Sequence, residues 1–193
     1  MKIENCKLKI KGGFTLIETI VVVAVIGLTL PVLFAIIFTL MRQQIKIYRL
    51  SQIKRGGDYL INIMENTIKD KAITIYKSAV LDDSNIVCKD ALSSYSSTSN
   101  LYFLDKNEQL FGYKLNINKV ASASANPDVD LISGKIIVSG FSIGCSRNTI
   151  YSPPSVLLDF DVCFNTGAGV CTSTRPEEIT SMHYQTRIKL RNY

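Results

Sequence analysis

The 193-residue sequence has a single histidine, and no Walker loop, dinucleotide fingerprint or metalloprotease helix can be found in it. That histidine, His183, stands in MHYQTRIKL, an alternating stretch that reads as a strand, with no local serine or cysteine nucleophile motif beside it. A structural or surface role is therefore expected of His183, and neither enzymatic activity nor a cofactor is expected of the chain. The five cysteines lack the close C-x₂-C pairs that usually nucleate zinc, so no metal site is expected. Charge is scarce in one place: residues 14 to 41 (FTLIETIVVVAVIGLTLPVLFAIIFTLM) carry only Glu18. This argues against a purely cytosolic globular enzyme. Basic charge is scarce elsewhere, since residues 78 to 193 hold 10 basic and 11 acidic side chains, against 12 and 5 in residues 1 to 77. A nucleic-acid-binding domain would carry its basic surface on the folded part, and the Tyr and Phe residues of that part fall mostly at strand positions rather than among basic residues. No nucleic acid is expected on residues 78 to 193.

What is present points to a folded, membrane-associated chain. Apolar residues make up 47% and charged residues 20%, too apolar a balance for disorder. As a helix, residues 14 to 41 span roughly 42 Å at about 1.5 Å per residue, more than the roughly 30 Å of a bilayer core. An ordinary secretory signal has a shorter apolar region with its cleavage site after it. Here the candidate site comes first: residues 1 to 13 (MKIENCKLKIKGG) are short and basic and end in two glycines. A Gly-Gly backbone suits a protease cutting beside a membrane.

At Gly12-Gly13-Phe14-Thr15-Leu16-Ile17-Glu18 the chain resembles the cleavage and methylation motif of type IV prepilins and type II secretion pseudopilins, and the resemblance continues through Ala24 and Gly27. It covers roughly residues 7 to 41. It implies cleavage between Gly13 and Phe14 by a prepilin peptidase, N-methylation of Phe14, and insertion into the inner membrane with an extracytoplasmic head. Assembly through an inner-membrane platform would follow, with other pilin or pseudopilin subunits, into a cell-surface or periplasm-spanning filament. Glu18 matches the carboxylate that pairs, in that family, with the N-terminal amine of a neighbouring subunit. A lone carboxylate in an apolar segment costs on the order of 2.5 to 3.5 kcal/mol on insertion scales, so a partner is expected for it. Pro31 falls about one turn earlier than the proline common in major pilins. Together with Gly27 it is expected to kink or loosen the helix. Orientation rests on the resemblance, because Arg42, Lys46, Arg49, Lys54 and Arg55 follow the span and oppose the four lysines of the leader.

Beyond residue 41 apolar positions recur at helical spacing through Ile45, Tyr48, Leu60, Met64, Ile68, Ala72 and Ile75, which predicts an amphipathic stalk helix over residues 42 to 77. Gly56-Gly57 is expected to interrupt it, with Asp58 capping a second segment. The basic run from residue 42 to 55 can meet anionic headgroups of membrane lipid or form a solvated stripe. Residues 78 to 193 form the β-rich head, with strands expected at 101 to 104, 109 to 115, 135 to 143, 155 to 164 and 184 to 190. Val156, Leu158, Phe160 and Val162 alternate with Asp159 and Asp161, so one sheet face should be buried and the other wet. The fold class is α+β: a long N-terminal helix, transmembrane and then amphipathic, packed against a single antiparallel C-terminal sheet in a pilin-like arrangement.

Cys6 lies in the leader, and an even four cysteines, Cys88, Cys145, Cys163 and Cys171, remain in the segment expected to be exported. Three pairings are open, as are four reduced thiols. The bendable Gly-containing stretch between Cys163 and Cys171 favours pairing those two, leaving Cys88 with Cys145. The acidic runs at residues 82 to 85 and 126 to 130 lack EF-hand spacing, so turns are expected there although some pseudopilins bind calcium in the head. The leading expectation is a minor pilin or pseudopilin. The alternative is a single-pass membrane-anchored binding or adhesion module that never polymerises.

Overall fold

A computed structural model describes residues 15 to 124, 127 to 165, 167, 171 and 180 to 191. The leader, residues 1 to 13, and Phe14 lie outside the described residues, as does Asn126. The chain divides after Gln44 into two compact units. A single helix, α1 (Leu16–Lys71), belongs partly to each.

In the first unit α1 is apolar all round. Consecutive residues such as Ile20, Val21, Val22 and Val23 are all exposed, and one 18-residue window has a mean hydropathy of 3.0 with none of it buried. A helix with no polar face is suited to a hydrocarbon or protein-core environment. By length and composition this is the one helix among the described residues able to cross a membrane. Its hydroxyls are satisfied within the helix: Thr19 Oγ1 donates to the Leu16 carbonyl (2.8 Å) and Thr39 Oγ1 to that of Ala35 (2.8 Å). That internal bonding removes the cost of carrying hydroxyls through an apolar medium. The helix runs unbroken through Gly27 and Pro31, and Thr29 Oγ1 donates to the Ile26 carbonyl (3.2 Å) within the same turn.

In the second unit α1 becomes one-sided. Ile53, Leu60, Met64 and Ile68, four or seven residues apart, are fully buried, while Ile45 and Tyr48 stay exposed. The expected interruption at Gly56-Gly57 does not occur, and Asp58 caps nothing. The reason is packing. A Cβ at Gly56 would overlap the Ile136 side chain, and one at Gly57 would overlap the hydroxyl end of the Tyr184 ring, so the missing side chains admit neighbours rather than end the helix. Replacing Gly57 with Val should destabilise the protein by roughly 1 to 3 kcal/mol, the usual cost of overpacking. Gly27→Ala, at a site with open space around it, should not lower the chemical denaturation midpoint. Equal midpoints for Gly57→Val and the parent chain would contradict this account.

The helix also stops earlier than its apolar spacing implies. After Lys71 the chain turns into β1 (Thr74–Tyr76), because Ile73 donates its N–H to the Leu104 carbonyl (2.8 Å) and starts a ladder. The β-branched residues of AITIY favour the extended form. Eight further strands follow: β2 (Ser93–Ser97), β3 (Asn100–Leu104), β4 (Leu110–Asn116), β5 (Lys119–Ser122), β6 (Val129–Asp130), β7 (Ile136–Arg147), β8 (Ser155–Phe164) and β9 (Ser181–Lys189). The hairpin of β3 and β4 pairs Leu104 with Leu110 across the expected turn, where Asp105 Oδ1 accepts from the N–H of Asn107 (2.7 Å).

The expected single sheet is in fact two antiparallel sheets, β1-β3-β4-β5-β6 and β2-β7-β8-β9. Residues from both sheets and from α1 share one core. Phe103 stacks on Phe111 (5.4 Å) in the first sheet, and Phe160 stacks on Tyr184 (5.6 Å) in the second. In β8 the alternation is as expected: Val156, Leu158, Phe160 and Val162 are buried and Asp159 and Asp161 face the other way. The β7 ladder shifts register between Ser139 and Ser142, where Gly140 takes a φ of 61° that a residue with a side chain would resist.

Candidate functional site

The sequence places its functional residues at the start of α1, and there the geometry is specific. The Glu18 carboxylate accepts from the Thr15 backbone N–H (3.0 Å) and from the Thr15 hydroxyl (3.1 Å), while the Glu18 N–H points back to Thr15 Oγ1 (3.4 Å). This reciprocal arrangement is a capping box. It satisfies donors that the first turn would otherwise leave bare in an apolar segment. Thr15 was not singled out in the sequence, yet the Thr-x-x-Glu spacing is legible there. Glu18 Oε2 takes both bonds, and Oε1 makes none among the described residues. The carboxylate is thus held at the helix end with one oxygen available.

The four cysteines of the head form two bridges: Cys88 with Cys145 and Cys163 with Cys171. Cys88, held at a φ of 58°, connects the segment after β1 to the last part of β7. Both of its bridge's half-cystines are buried.

The remaining polar clusters have structural partners. His183 in β9 lies opposite Asp161 in β8, with Nδ1 3.0 Å from Oδ1, and its Nε2 is 3.8 Å from Asp159 Oδ2. All three side chains lie on the wet sheet face, His183 exposed and the two aspartates partly covered. The acidic run at 82 to 85 is a turn: Ser84 donates to Asp82 Oδ2 (2.7 Å), and this bond holds the Asp82 carboxyl below its usual range. Asp128 pairs with Lys114 and Asp130 with Lys119 (2.7 Å). The Asp128 bond raises the Lys114 ammonium. Among the described residues no three His, Cys, Asp or Glu side chains are grouped to hold a metal.

The basic run after the span is not uniformly solvated. Arg49 is half-buried, with its guanidinium 5.4 Å from the centre of the Phe164 ring. Near it, Tyr184 donates its hydroxyl to the Lys54 carbonyl (3.2 Å). Burial, with the Asp58 carboxylate adding to it, pushes the Tyr184 phenol up to about 12. Because the fold favours the protonated phenol, this contribution to stability is present below the ordinary tyrosine range near 10 and is lost as pH rises through about 12. An alkaline titration followed by phenolate absorbance should show a component at about 12 that is missing in Tyr184→Phe. Its persistence in that variant would assign it elsewhere.

One residue had no signal in the sequence. Arg147, at the end of β7, is only 7% exposed, and its Nε donates to the carbonyls of Thr149 (3.1 Å) and Ser152 (3.0 Å). Its terminal nitrogens reach the carbonyls of Lys89 and Ile150. One guanidinium thereby ties the β7–β8 turn to the segment after Cys88. No protein-family model, curated protein or solved structure matches the chain.

Proposed function

We propose that the chain is a structural subunit of a type IV pilus-like or type II secretion-like filament, a minor pilin or pseudopilin. In this reading residues 1 to 13 are removed by a prepilin peptidase and Phe14 is methylated. The subunit waits in the inner membrane with its head outside the cytoplasm, then joins other subunits through α1. The mechanism is assembly rather than catalysis. Glu18 neutralises a subunit amine, and the apolar surface of α1 exchanges lipid for neighbouring helices.

The observation that carries the reading is the junction at Gly13-Phe14-Thr15-Leu16-Ile17-Glu18, where the proposed cut falls two residues before the first helical residue of an all-round apolar helix. A cut placed there would remove the charged leader and keep the whole helix. The two bridges of the head accord with an oxidising compartment on the far side of the membrane. Mass spectrometry of protein co-produced with a prepilin peptidase should find a mature N-terminus at methylated Phe14. A chain that still starts at Met1, or is cut after residue 41, would sink the filament reading and leave an anchored head or a secreted one.

A further inference from the structure

The charges of α1 beyond its apolar run are divided along its length. Arg42, Lys46, Arg49, Lys54 and Arg55 come first, and the carboxylates Asp58, Glu65 and Asp70 follow. A separation of 16 residues occurs three times between the two groups, from Arg42 to Asp58, from Arg49 to Glu65 and from Lys54 to Asp70, and no other separation occurs more than once. Helical phase decides which of the three act together. At about 100° per residue, Arg42 and Arg49, one heptad apart, share a face, and Asp58 and Glu65 share another about 160° round the helix. Lys54 lies on a different face, and Asp70 is already engaged by Arg191 (3.6 Å). Two cations and two carboxylates at one spacing, on nearly opposite sides, make the helix complementary to a copy of itself.

Arg49 and Glu65 are half-buried, and neither makes an ion pair among the described residues. The Arg49 guanidinium lies over Phe164, and its Nη1 is buried with no hydrogen-bond partner. A charge partly withdrawn from water without an opposite one is unfavourable, and each of these two supplies what the other lacks. They do not meet within one chain, because α1 holds them about 24 Å apart along its axis.

We infer that a second, parallel copy docks on this part of α1 after a slide of 16 residues, with Arg49 of one copy against Glu65 of the next and Arg42 against Asp58 in the same register. The inference rests on the filament reading and names the partner, which is a consecutive copy of this chain rather than a different subunit. A contact that uses different patches on its two partners repeats without closing and builds an open row. Two copies that both span a bilayer lie at one depth, and a slide of about 24 Å is most of the roughly 30 Å hydrocarbon core, so the contact belongs to the assembled state. A helical filament gives each subunit several neighbours, and the Glu18 pairing falls to another of them.

The test is a zero-length cross-link in filaments sheared from cells that make the full chain with its peptidase. Arg49→Lys keeps the charge and provides an amine, which a carbodiimide joins to a carboxylate in direct contact. Since one helix holds positions 49 and 65 about 24 Å apart, a link between them joins two copies. Mass spectrometry should find that link in filaments and not in membranes of cells lacking the peptidase. Arg49→Glu and Glu65→Lys should each lower the amount of the chain in sheared filaments about tenfold through like-charge contact, and the double variant should restore it. Unaltered thermal midpoints in detergent are expected for all of these variants. Filaments that contain the chain, with Phe14 at its mature N-terminus, but lack the link would overturn the inference and leave the filament reading standing. Position 49 joined to a different protein, an equal link in unassembled precursor, or single reversals that are harmless or not rescued by the double would overturn it as well. A chain that never enters filaments would overturn both.

Discussion

Reduction should lower the denaturation midpoint of the full chain, and Cys88→Ala with Cys145→Ala should reproduce most of the drop. The two bridges differ in the length of chain they close, 57 residues for Cys88–Cys145 and 8 for Cys163–Cys171. In the chain-entropy account these loops correspond to about 4 and about 2.5 kcal/mol of restriction on the unfolded state. Placement adds to the difference. Cys145 lies near the end of β7, opposite Tyr95 of β2 on one side and Val156 of β8 on the other, so the longer bridge fastens the segment after β1 to an inner strand of the second sheet. The shorter bridge closes only the stretch beyond β8. Alanine is the suitable replacement because Cys88 and Cys145 are both buried, and serine would add unpaired hydroxyls. Thiol titration of the oxidised precursor after denaturation should find one reactive group, Cys6. Five would remove both bridges, and a larger midpoint loss for Cys163→Ala with Cys171→Ala would reverse the ranking.

Loss of the Glu18 charge should abolish most incorporation into filaments while leaving membrane insertion intact or slightly improved, since a costly carboxylate leaves the apolar segment. The capping box makes the choice of variant decisive. Glu18→Ala removes both the charge and the cap, and the cap alone is commonly worth about 0.5 to 2 kcal/mol. Glu18→Gln retains a side chain able to complete the box with Thr15 and removes only the charge. If amine neutralisation is the role, both variants should be lost from sheared filaments, because either leaves a subunit amine unpaired in a low-dielectric core. If Gln restores incorporation and Ala does not, Glu18 serves the helix end and the charge-pairing role is wrong.

These expectations draw on two kinds of information. Glu18, the apolar run and the strand alternation of β8 were legible because each is a local pattern. A helix of that length closes its own hydrogen bonds, a Thr-x-x-Glu box spans one turn, and alternating burial repeats within one strand. β2 was not legible: SSYSS has no apolar alternation, since it is an edge strand, and it reads as a linker until β7 is placed beside it. The turn to β1 was hidden too, as Ala72 and Ile75 continue the helical spacing, while the strand is fixed by its pairing with β3.

By itself the sequence determined an α+β chain with an apolar N-terminal helix able to cross a membrane, a mostly β remainder, and cysteines apt to pair. Only the tertiary structure decided that the strands divide into two sheets, that Gly56 and Gly57 receive Ile136 and Tyr184 instead of ending the helix, and that Arg147 holds the β7–β8 turn. The physical reason is the same in each case. Hydrogen-bond periodicity and chain propensity act over a few residues, whereas the role of an absent side chain or of a buried cation is set by groups far along the chain that folding brings against it.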